Sequence, residues 1–420
     1  MIHVTEILPG ITLRCFPDQR FKQGCLSVQL VRPMCREEAA MNALIPAVLL
    51  RGTVNSPDLR DIILRLDDLY GASVGALVRR VGDYQTTGLH CGFIEDRFAL
   101  DGDRVLEPMI RFLGELMLQP ALENGVFRDD YVQSEKRNLI LTIESQLNDK
   151  RAYASAQLLR RMCSADSFGI PRLGEKAQVE AIEAGQLYDH YQKILRQSRI
   201  ELFYVGSADP ETVAALLKPL FEKIDRDYAN LSGQKPFCDG GESHMEETME
   251  VAQGKLALGL TTPITLTDPR FAAMQVCNTV FGGGMTSKLF MQVREKQSLC
   301  YDIGSGYHGV KGIVLVNAGI DCDKKDLVLS QVQQQLQACV RGDISPEELE
   351  AAKQAIVSSL RSTHDSPGAI ESYYATAALS GLPMTPAQYM QAVEAVTAEQ
   401  VAQAAATVHL HTVYFLKGVD

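Results

Sequence analysis

The sequence lacks both clustered positive charge and long apolar runs. Its formal net charge is −11, and it contains no basic tail or Lys/Arg-rich run. Nucleic acids and anionic membranes bind clustered positive charge, so neither is an expected partner. No apolar run reaches the ~18 residues that a membrane span needs. The N-terminus also lacks the basic segment and apolar core of a signal peptide, and we predict none.

The sequence also lacks any paired spacing of cysteines. Its ten cysteines are scattered, with no CxxC pair and no compact framework. Several lie inside strand-like or helix-like runs, where a free cysteine behaves as a small hydrophobic residue. Disulfides persist mainly in oxidising compartments. We therefore expect a cytoplasmic protein without disulfides.

The length of 420 residues fits two domains of about 200 residues better than one core. Hydrophobic residues make up 46% and charged residues 22%, as in ordinary globular proteins. The clearest break is a polar stretch with glycine and proline between Asp225 and Glu247. The predicted organisation is a first domain over 1–226, a linker over 227–247 and a second domain over 248–420.

The order of elements is similar on the two sides of this linker: strand, helix, helix, strand, strand, then long helices and a closing strand. Near the start of the first half, Ser56 and Pro57 resemble an N-cap and first position of a helix. In the second half, Ser345 and Thr397 begin capping boxes. We predict an α+β fold of two duplicated domains. Each is a mainly antiparallel sheet packed with helices, and together they form a clamshell with a central cleft.

Two glycine motifs invite a nucleotide-binding interpretation, and both fail. Residues 304–309 match GxGxxG, but a strand-like run follows where a dinucleotide site needs a helix, so a hairpin is predicted. Gly282, Gly283 and Gly284 precede Lys288, but the residues that flank this lysine do not fit a phosphate loop. We expect a tight turn between helices, in which glycine permits positive φ and close backbone approach.

The sequence also has no self-contained catalytic or metal site. None of its eight histidines belongs to an HxxEH or HExxH motif, and no GxSxG motif occurs. His409 and His411 share one face of the last strand, but no third ligand is near them in sequence. We therefore predict no metal site formed by this chain alone.

The run FGGGMTSKLFMQVREKQSLCY, residues 281–301, closely resembles a signature of the pitrilysin, insulinase and mitochondrial-processing-peptidase family. By this resemblance, Arg294 and Tyr301 match a pair in the family's non-catalytic domain that holds the substrate backbone. The resemblance also implies that Gly282, Gly283 and Gly284 contact substrate. Residues 167–174 and 204–210 resemble further family segments, and residues 69–76 resemble the edge strand on which active members bind a peptide.

The chain departs from this family at the zinc motif. Active members carry HFLEHMLFKGT, whereas residues 43–53 read ALIPAVLLRGT. Two histidines at i and i+4 hold zinc on one helix face, and the glutamate between them activates the bound water. Ala43, Pro46 and Ala47 can do neither. Glu144 still resembles the third ligand, but one carboxylate binds zinc weakly, so we expect no catalytic residue and no cofactor in this chain.

The resemblance implies a non-catalytic, substrate-binding subunit of a heterodimeric zinc peptidase that acts on unfolded peptides. Zinc is then expected in the partner, a homologous subunit with HxxEH, and a homodimer of the isolated chain is compatible with this interpretation. Two alternatives stay open: a scaffolding subunit with no role in proteolysis, and a stand-alone peptidase with unrecognised chemistry. From pattern alone, Arg294 suits the end of a helix, and Tyr301, Ile303 and Tyr307 alternate as core residues do.

Overall fold

The computed structural model describes residues 2–238 and 241–418. Contacts between residues divide the chain into two compact units, and neither is a continuous segment. The first comprises Met1–Glu144, Ile170–Gly233 and His364–Leu379, and the second Ser145–Gly169, Gln234–Thr363 and Ser380–Asp420.

Strands and helices occur in both units, as the α+β prediction requires. The strands are β1 (His3–Leu8), β2 (Ile11–Pro17), β3 (Gln23–Pro33), β4 (Ser73–Val81), β5 (Tyr84–Ile94), β6 (Leu122–Glu123), β7 (Val126–Phe127), β8 (Arg199–Gly206), β9 (Ser243–Thr248), β10 (Gly254–Thr261), β11 (Asp302–His308), β12 (Ile313–Ile320) and β13 (His409–Lys417). The helices are α1 (Arg36–Leu49), α2 (Leu59–Asp68), α3 (Leu106–Leu118), α4 (Asp129–Ser145), α5 (Lys150–Met162), α6 (Lys176–Glu180), α7 (Ala184–Gln197), α8 (Pro210–Phe221), α9 (Phe271–Gly282), α10 (Lys325–Val340), α11 (Pro346–Ser362), α12 (Pro367–Ser380), α13 (Pro386–Glu394) and α14 (Ala398–Ala405). In the two described ranges, no helix has the length and apolarity that crossing a membrane would require.

The first unit is built on a six-stranded sheet in the order β1-β2-β8-β3-β5-β4. All neighbours pair antiparallel except β2 and β8, which are parallel. Strand β3 is buried along most of its length because α1, α3 and α7 contribute apolar side chains to the same core. Strand β4 lies at the edge of the sheet, and it contains the second half, residues 73–76, of the run whose resemblance predicts an edge strand.

The second unit is built on a five-stranded sheet in the order β11-β12-β10-β13-β9. Only β9 and β13 pair in parallel. Strand β9 lies, except for Thr248, inside the stretch predicted to be a linker. It has no hydrophobic periodicity because it is an edge strand with mostly polar side chains. Its Glu247 accepts hydrogen bonds from the hydroxyls of Tyr153, 2.8 Å, and Tyr414, 2.6 Å.

Two helices belong to a different unit from the one that the predicted continuous boundaries assign. Helix α5 lies in the first half of the sequence, but its Leu158 and Met162 pack with Tyr414 and Leu416 in the core of the second unit. Helix α12 lies in the second half, but its Ile370 packs in the first unit. An amphipathic helix reveals that one face is buried, not which sheet covers that face. Sequence order alone therefore misplaces both.

Helix α12 also carries a buried carboxylate into the first unit. Glu371 is 2% exposed. Its oxygens accept hydrogen bonds from Ser27 Oγ at 2.7 Å and Gln29 Nε2 at 2.6 Å. Both terminal nitrogens of Arg79 donate to the same carboxylate, at 3.1 and 2.9 Å. The charge is therefore paired and fully hydrogen-bonded, which burial of a carboxylate requires.

Local signals predicted some element boundaries correctly. The capping boxes at Ser345 and Thr397 are both present. The GxGxxG run forms a hairpin, with strand β11 before the turn and β12 after it. The prediction that Ser56 caps α2 is wrong. Asp58 is the cap, and its side chain accepts from the Asp61 N–H at 3.0 Å.

Candidate functional site

The Arg/Tyr motif lies in the second unit, between helix α9 and edge strand β11. A turn follows α9, and a helix of π type then spans Leu289–Lys296. Helices of this widened type are rare in proteins, and those that occur are often found at functional sites. After it, Ser298 adopts a φ of 52°, a conformation uncommon for a residue with a side chain. This irregular backbone, rather than a regular helix, leads into Tyr301.

Arg294 is held at three points and keeps one edge of its guanidinium open. Nε donates to the Tyr301 carbonyl at 2.8 Å, and Nη1 donates to Glu295 at 2.9 Å. The guanidinium carbon lies 4.6 Å from the centre of the Phe290 ring, a cation–π distance. Nη2 has no acceptor within the ranges that the structure describes, and the side chain is 37% exposed. The group is therefore oriented and still has donors for a ligand.

Tyr301 is not a core residue, so the interpretation from strand alternation is wrong for it. Its side chain is 53% exposed, because it precedes β11, whereas Ile303 within the strand is buried. Its hydroxyl donates to Asp321 Oδ1 at 2.9 Å, and this hydrogen bond raises the pKa of the phenol. Lys324 and Tyr301 together hold the pKa of Asp321 below its usual value. The tyrosine oxygen keeps its lone pairs free to accept a hydrogen bond.

Arg294 and Tyr301 line one concavity of about 390 Å³ in the second unit. Its walls carry charges of both signs. Glu295 and Asp321 are negative, and Arg294 and Lys324 are positive. The full lining is Arg294, Glu295, Ser298, Leu299, Cys300, Tyr301, Asp321 and Lys324. Such a surface is suited to a polar backbone rather than to an apolar ligand.

Asp321 is a residue of this site that the sequence analysis missed. It lies twenty positions from Tyr301, and no local motif marks it. The hairpin of β11 and β12 pairs Asp302 with Gly319, and the Tyr301 N–H donates to the Gly319 carbonyl at 2.8 Å. That register brings residue 321 beside residue 301. A correct prediction of the strand register would have found Asp321.

The three predicted glycines line a different concavity. Gly282, Gly283 and Gly284 border a groove of about 630 Å³ whose lining shares no residue with that of the Arg294 concavity. A Cβ on Gly282 would lie 2.6 Å from Ser305 Oγ, and one on Gly283 would lie 2.7 Å from Thr279 Cα. None of the three has positive φ. Close approach alone therefore requires glycine at the first two positions, and the expected positive φ is wrong.

The residues at the degenerate zinc positions do not form a set of metal ligands. Ala43 and Pro46 are buried in helix α1, and Ala47 is half-buried. Glu144 is 42% exposed and pairs with Lys176, with Oε1 and Nζ 2.5 Å apart. Across residues 2–238 and 241–418, no group of three or more His, Cys, Asp or Glu is arranged to hold a metal ion. The zinc that the family uses does not fit these residues.

Pro46 also removes a helical hydrogen bond, and Thr87 replaces it. A proline inside a helix has no N–H to donate to the carbonyl four residues earlier, here that of Asn42. In strand β5, the Thr87 hydroxyl donates to this carbonyl at 2.5 Å. Both Asn42 and Thr87 are buried, and water does not satisfy the carbonyl there. Thr87 in the sheet therefore donates the hydrogen bond that Pro46 cannot donate. Position 46 is the one at which active family members carry the catalytic glutamate.

We expect Thr87→Val to lower the free energy of unfolding by about 1–3 kcal/mol, because the buried Asn42 carbonyl loses its donor. In a Pro46→Ala background the same change is expected to cost less, since the residue-46 N–H then donates instead. Urea denaturation of the four proteins gives this interaction energy. Thr86→Val is the matched control, because the buried Thr86 hydroxyl has no partner in the described chain. Equal losses in both backgrounds would contradict this account.

A second buried network surrounds the same part of α1. Asn42 Nδ2 donates to Gln85 Oε1 at 2.9 Å, and Gln85 Nε2 donates to the Ala39 carbonyl at 3.1 Å. His190 Nε2 lies 2.7 Å from Asn42 Oδ1. Burial lowers the pKa of His190 to about 4, so this histidine is neutral near pH 7. The polar groups beside the degenerate motif stabilise the helix position and present no ligand set.

The chain is similar to one group of proteins over nearly its whole length. The profile described as "Peptidase M16 inactive domain" matches residues 181–356. A relative from Bacillus subtilis (strain 168), named probable inactive metalloprotease YmfF, is 31% identical over 411 residues. That alignment covers 98% of this chain and 96% of the relative.

Solved structures show the same similarity. A conserved protein from Enterococcus faecalis V583 superposes with a TM-score of 0.92 at 28% identity and covers 100% of this chain and 99% of that one. A peptidase M16 inactive domain from Pseudomonas fluorescens has a TM-score of 0.81 at 19% identity, with 100% and 98% covered, and shares the fold. With its zinc-motif side chains replaced, the chain belongs to the M16 metallopeptidase family, that of pitrilysin and insulinase.

Proposed function

We propose that this chain is the substrate-binding subunit of a two-chain zinc peptidase, with an HxxEH-carrying homologue as the catalytic subunit. The observation that carries the proposal is the contrast between two sites. The zinc positions hold Ala43, Pro46 and Ala47, whereas Arg294 and Tyr301 are oriented by hydrogen bonds in an open concavity. This contrast supports a role in substrate binding without one in zinc chemistry.

The chemistry of the pair suits a peptide backbone. The free edge of Arg294 is suited to donate to a peptide carbonyl, and the Tyr301 oxygen is suited to accept from a peptide N–H, since its own proton is donated to Asp321. In peptide hydrolysis the scissile carbonyl oxygen becomes negative, and a fixed guanidinium stabilises that charge. In the proposed complex the partner's zinc and glutamate activate water, while Arg294 and Tyr301 orient the peptide.

Edge strands provide a second element of the proposed binding mode. An extended peptide can add to an exposed sheet edge through backbone hydrogen bonds. Strand β4 lies at an edge of the first sheet, but Arg172 Nη1 donates to its Val78 carbonyl at 2.8 Å. This contact covers the later part of β4. Peptide addition is therefore proposed at its earlier part, from Ser73 to Leu77. We place the complex in the cytoplasm, because the ten cysteines show no paired spacing.

The proposal is tested by reconstitution with the HxxEH homologue from the same organism. The chain alone, the homologue alone and an equimolar mixture are assayed with unfolded fluorogenic peptides, and zinc is measured by atomic absorption. We expect no stoichiometric zinc and no cleavage with the chain alone. We expect the activity of the mixture to exceed that of the homologue alone by at least about tenfold, as substrate positioning contributes at least that much.

Two results would overturn the proposal. Stoichiometric zinc with proteolysis by the pure chain would make it a peptidase in its own right. A mixture that forms a complex but is no more active than the homologue alone would leave a scaffolding role. Co-elution in size-exclusion chromatography separates failure to assemble from failure to assist catalysis.

A further inference from the structure

Helix α2 in the first unit exposes an apolar face that its own chain does not cover. Of its ten residues, only Ile62 is buried. Leu59, Ile63 and Leu64 are 45%, 49% and 51% exposed. Amphipathic surface helices normally direct such residues to the core and expose polar ones. Here two adjacent large aliphatic side chains lie at the centre of the exposed face.

Two charges lie on the same face, and neither has a partner. Arg60 and Asp67 are exposed, and within the described residues neither forms an ion pair or side-chain hydrogen bond. On a helix, oppositely charged residues pair at spacings of three or four. Three and four positions after Arg60 are Ile63 and Leu64. Three and four positions before Asp67 are the same two residues, Leu64 and Ile63. The helix itself therefore cannot pair these two charges.

The four residues have the symmetry of a two-fold interface. Arg60 and Asp67 each lie three and a half positions from the midpoint between Ile63 and Leu64, on opposite sides. At 100° per residue, they also point within about 20° of each other around the axis. A second helix of the same sequence, packed antiparallel over this midpoint, would place Arg60 opposite the partner's Asp67 twice. It would also place Ile63 against the partner's Leu64. A two-fold interface requires such self-complementarity.

We propose that two copies of this chain associate through antiparallel α2 helices, with Ile63 and Leu64 at the centre and Arg60–Asp67 pairs at both ends. A second copy is the occupant because the charges complement their own symmetry mates, which a face for an unrelated partner does not require. The helix is ~15 Å long, and a stable interface buries about 800 Å² per partner. The α2 contact alone is smaller, so a dissociation constant on the order of tens of micromolar is expected.

Charge reversal tests the proposed pairing. Sedimentation equilibrium of the isolated full-length chain from 1 to 200 μM is expected to show a monomer–dimer equilibrium. Arg60→Asp and Asp67→Arg each place like charges together at both ends, and each is expected to raise the dissociation constant about tenfold. The double variant R60D/D67R restores opposite charges and is expected to return the constant to within about threefold of the original. A double variant as weak as the singles would overturn the pairing.

The apolar centre is tested separately. Leu64→Glu is expected to abolish association up to 200 μM, while Leu141→Glu, at another exposed helical leucine, is expected to have no effect. Circular dichroism establishes that every variant is folded. A wild-type chain that is monomeric at all concentrations would contradict the proposal. So would a Leu64→Glu chain that dimerises normally, or one that loses binding to the HxxEH homologue. The peptidase assay is independent of this measurement, so either proposal can fail without the other.

Discussion

Replacing Arg294 with alanine is expected to lower the kcat/KM of the reconstituted two-chain peptidase about 100-fold, a loss typical of removing one fixed donor to a developing oxyanion. The reason is geometric, because the guanidinium is oriented by the Tyr301 carbonyl, Glu295 and Phe290 before any peptide binds. The measurement is steady-state kinetics on an unfolded peptide with the partner subunit saturating. Most of the loss is expected in kcat, since the charge on the carbonyl develops in the transition state.

Two further variants separate this role from general effects of charge. Arg294→Lys keeps the charge but has no Nε to donate to the Tyr301 carbonyl, so it is expected to recover only a small part of the activity. Arg341→Ala removes an exposed arginine that pairs with Asp343, and full activity is expected. Unchanged activity in the Arg294→Ala complex would favour the scaffolding alternative. An equal loss in Arg341→Ala would indicate a nonspecific effect.

Replacing Glu371 with alanine is expected to lower the free energy of unfolding by about 3–5 kcal/mol, the cost of breaking a buried charge pair from one side. The substitution leaves Arg79, Ser27 and Gln29 without the acceptor that they share. Urea denaturation followed by circular dichroism measures the loss. Because Glu371 packs within the first unit, that unit is expected to unfold at lower urea concentration.

A conservative variant and a surface variant control this prediction. Glu371→Gln keeps the shape and one acceptor oxygen, so an intermediate loss is expected. Glu222→Ala removes an exposed carboxylate 3.8 Å from Lys218, and a loss below about 1 kcal/mol is expected. If Glu371→Ala and Glu222→Ala were equally stable, the buried network would contribute nothing to holding α12 in the first unit.

Local patterns predicted much of the fold correctly. Strand-like runs predicted β3, β5, β10 and β13, and serine or threonine with an acid or amide three positions later predicted the starts of α11 and α14. The loss of the zinc motif was equally local, since three side chains at 43, 46 and 47 decide it. The α+β class and the family followed from such signals.

The remaining features depend on contacts distant in sequence. To assign α5 and α12 to the correct units, one must know which sheet each helix covers. Thr87, in strand β5, replaces the hydrogen bond that helix α1 loses at Pro46. Asp321 reaches Tyr301 only through the register of a hairpin. Positive φ was expected for Gly282, Gly283 and Gly284 because the sequence does not show why glycine is needed at a position. The reason can be a positive φ or a lack of space for a Cβ atom. In each case except Gly283, which is close to Thr279, the deciding atom lies far along the chain.

The exchange of segments between the units has a consequence for synthesis on the ribosome. The first unit needs residues His364–Leu379, which are made about 130 residues after Gly233 ends the rest of that unit. At ~5–20 residues per second, the nascent first unit waits on the order of ten seconds for its last helix. During this time the sites for Ile370 on Phe16 and for Glu371 beside Arg79 are uncovered. Neither unit can be completed before nearly the whole polypeptide has emerged, so a prematurely terminated chain would expose both surfaces to chaperones and proteases.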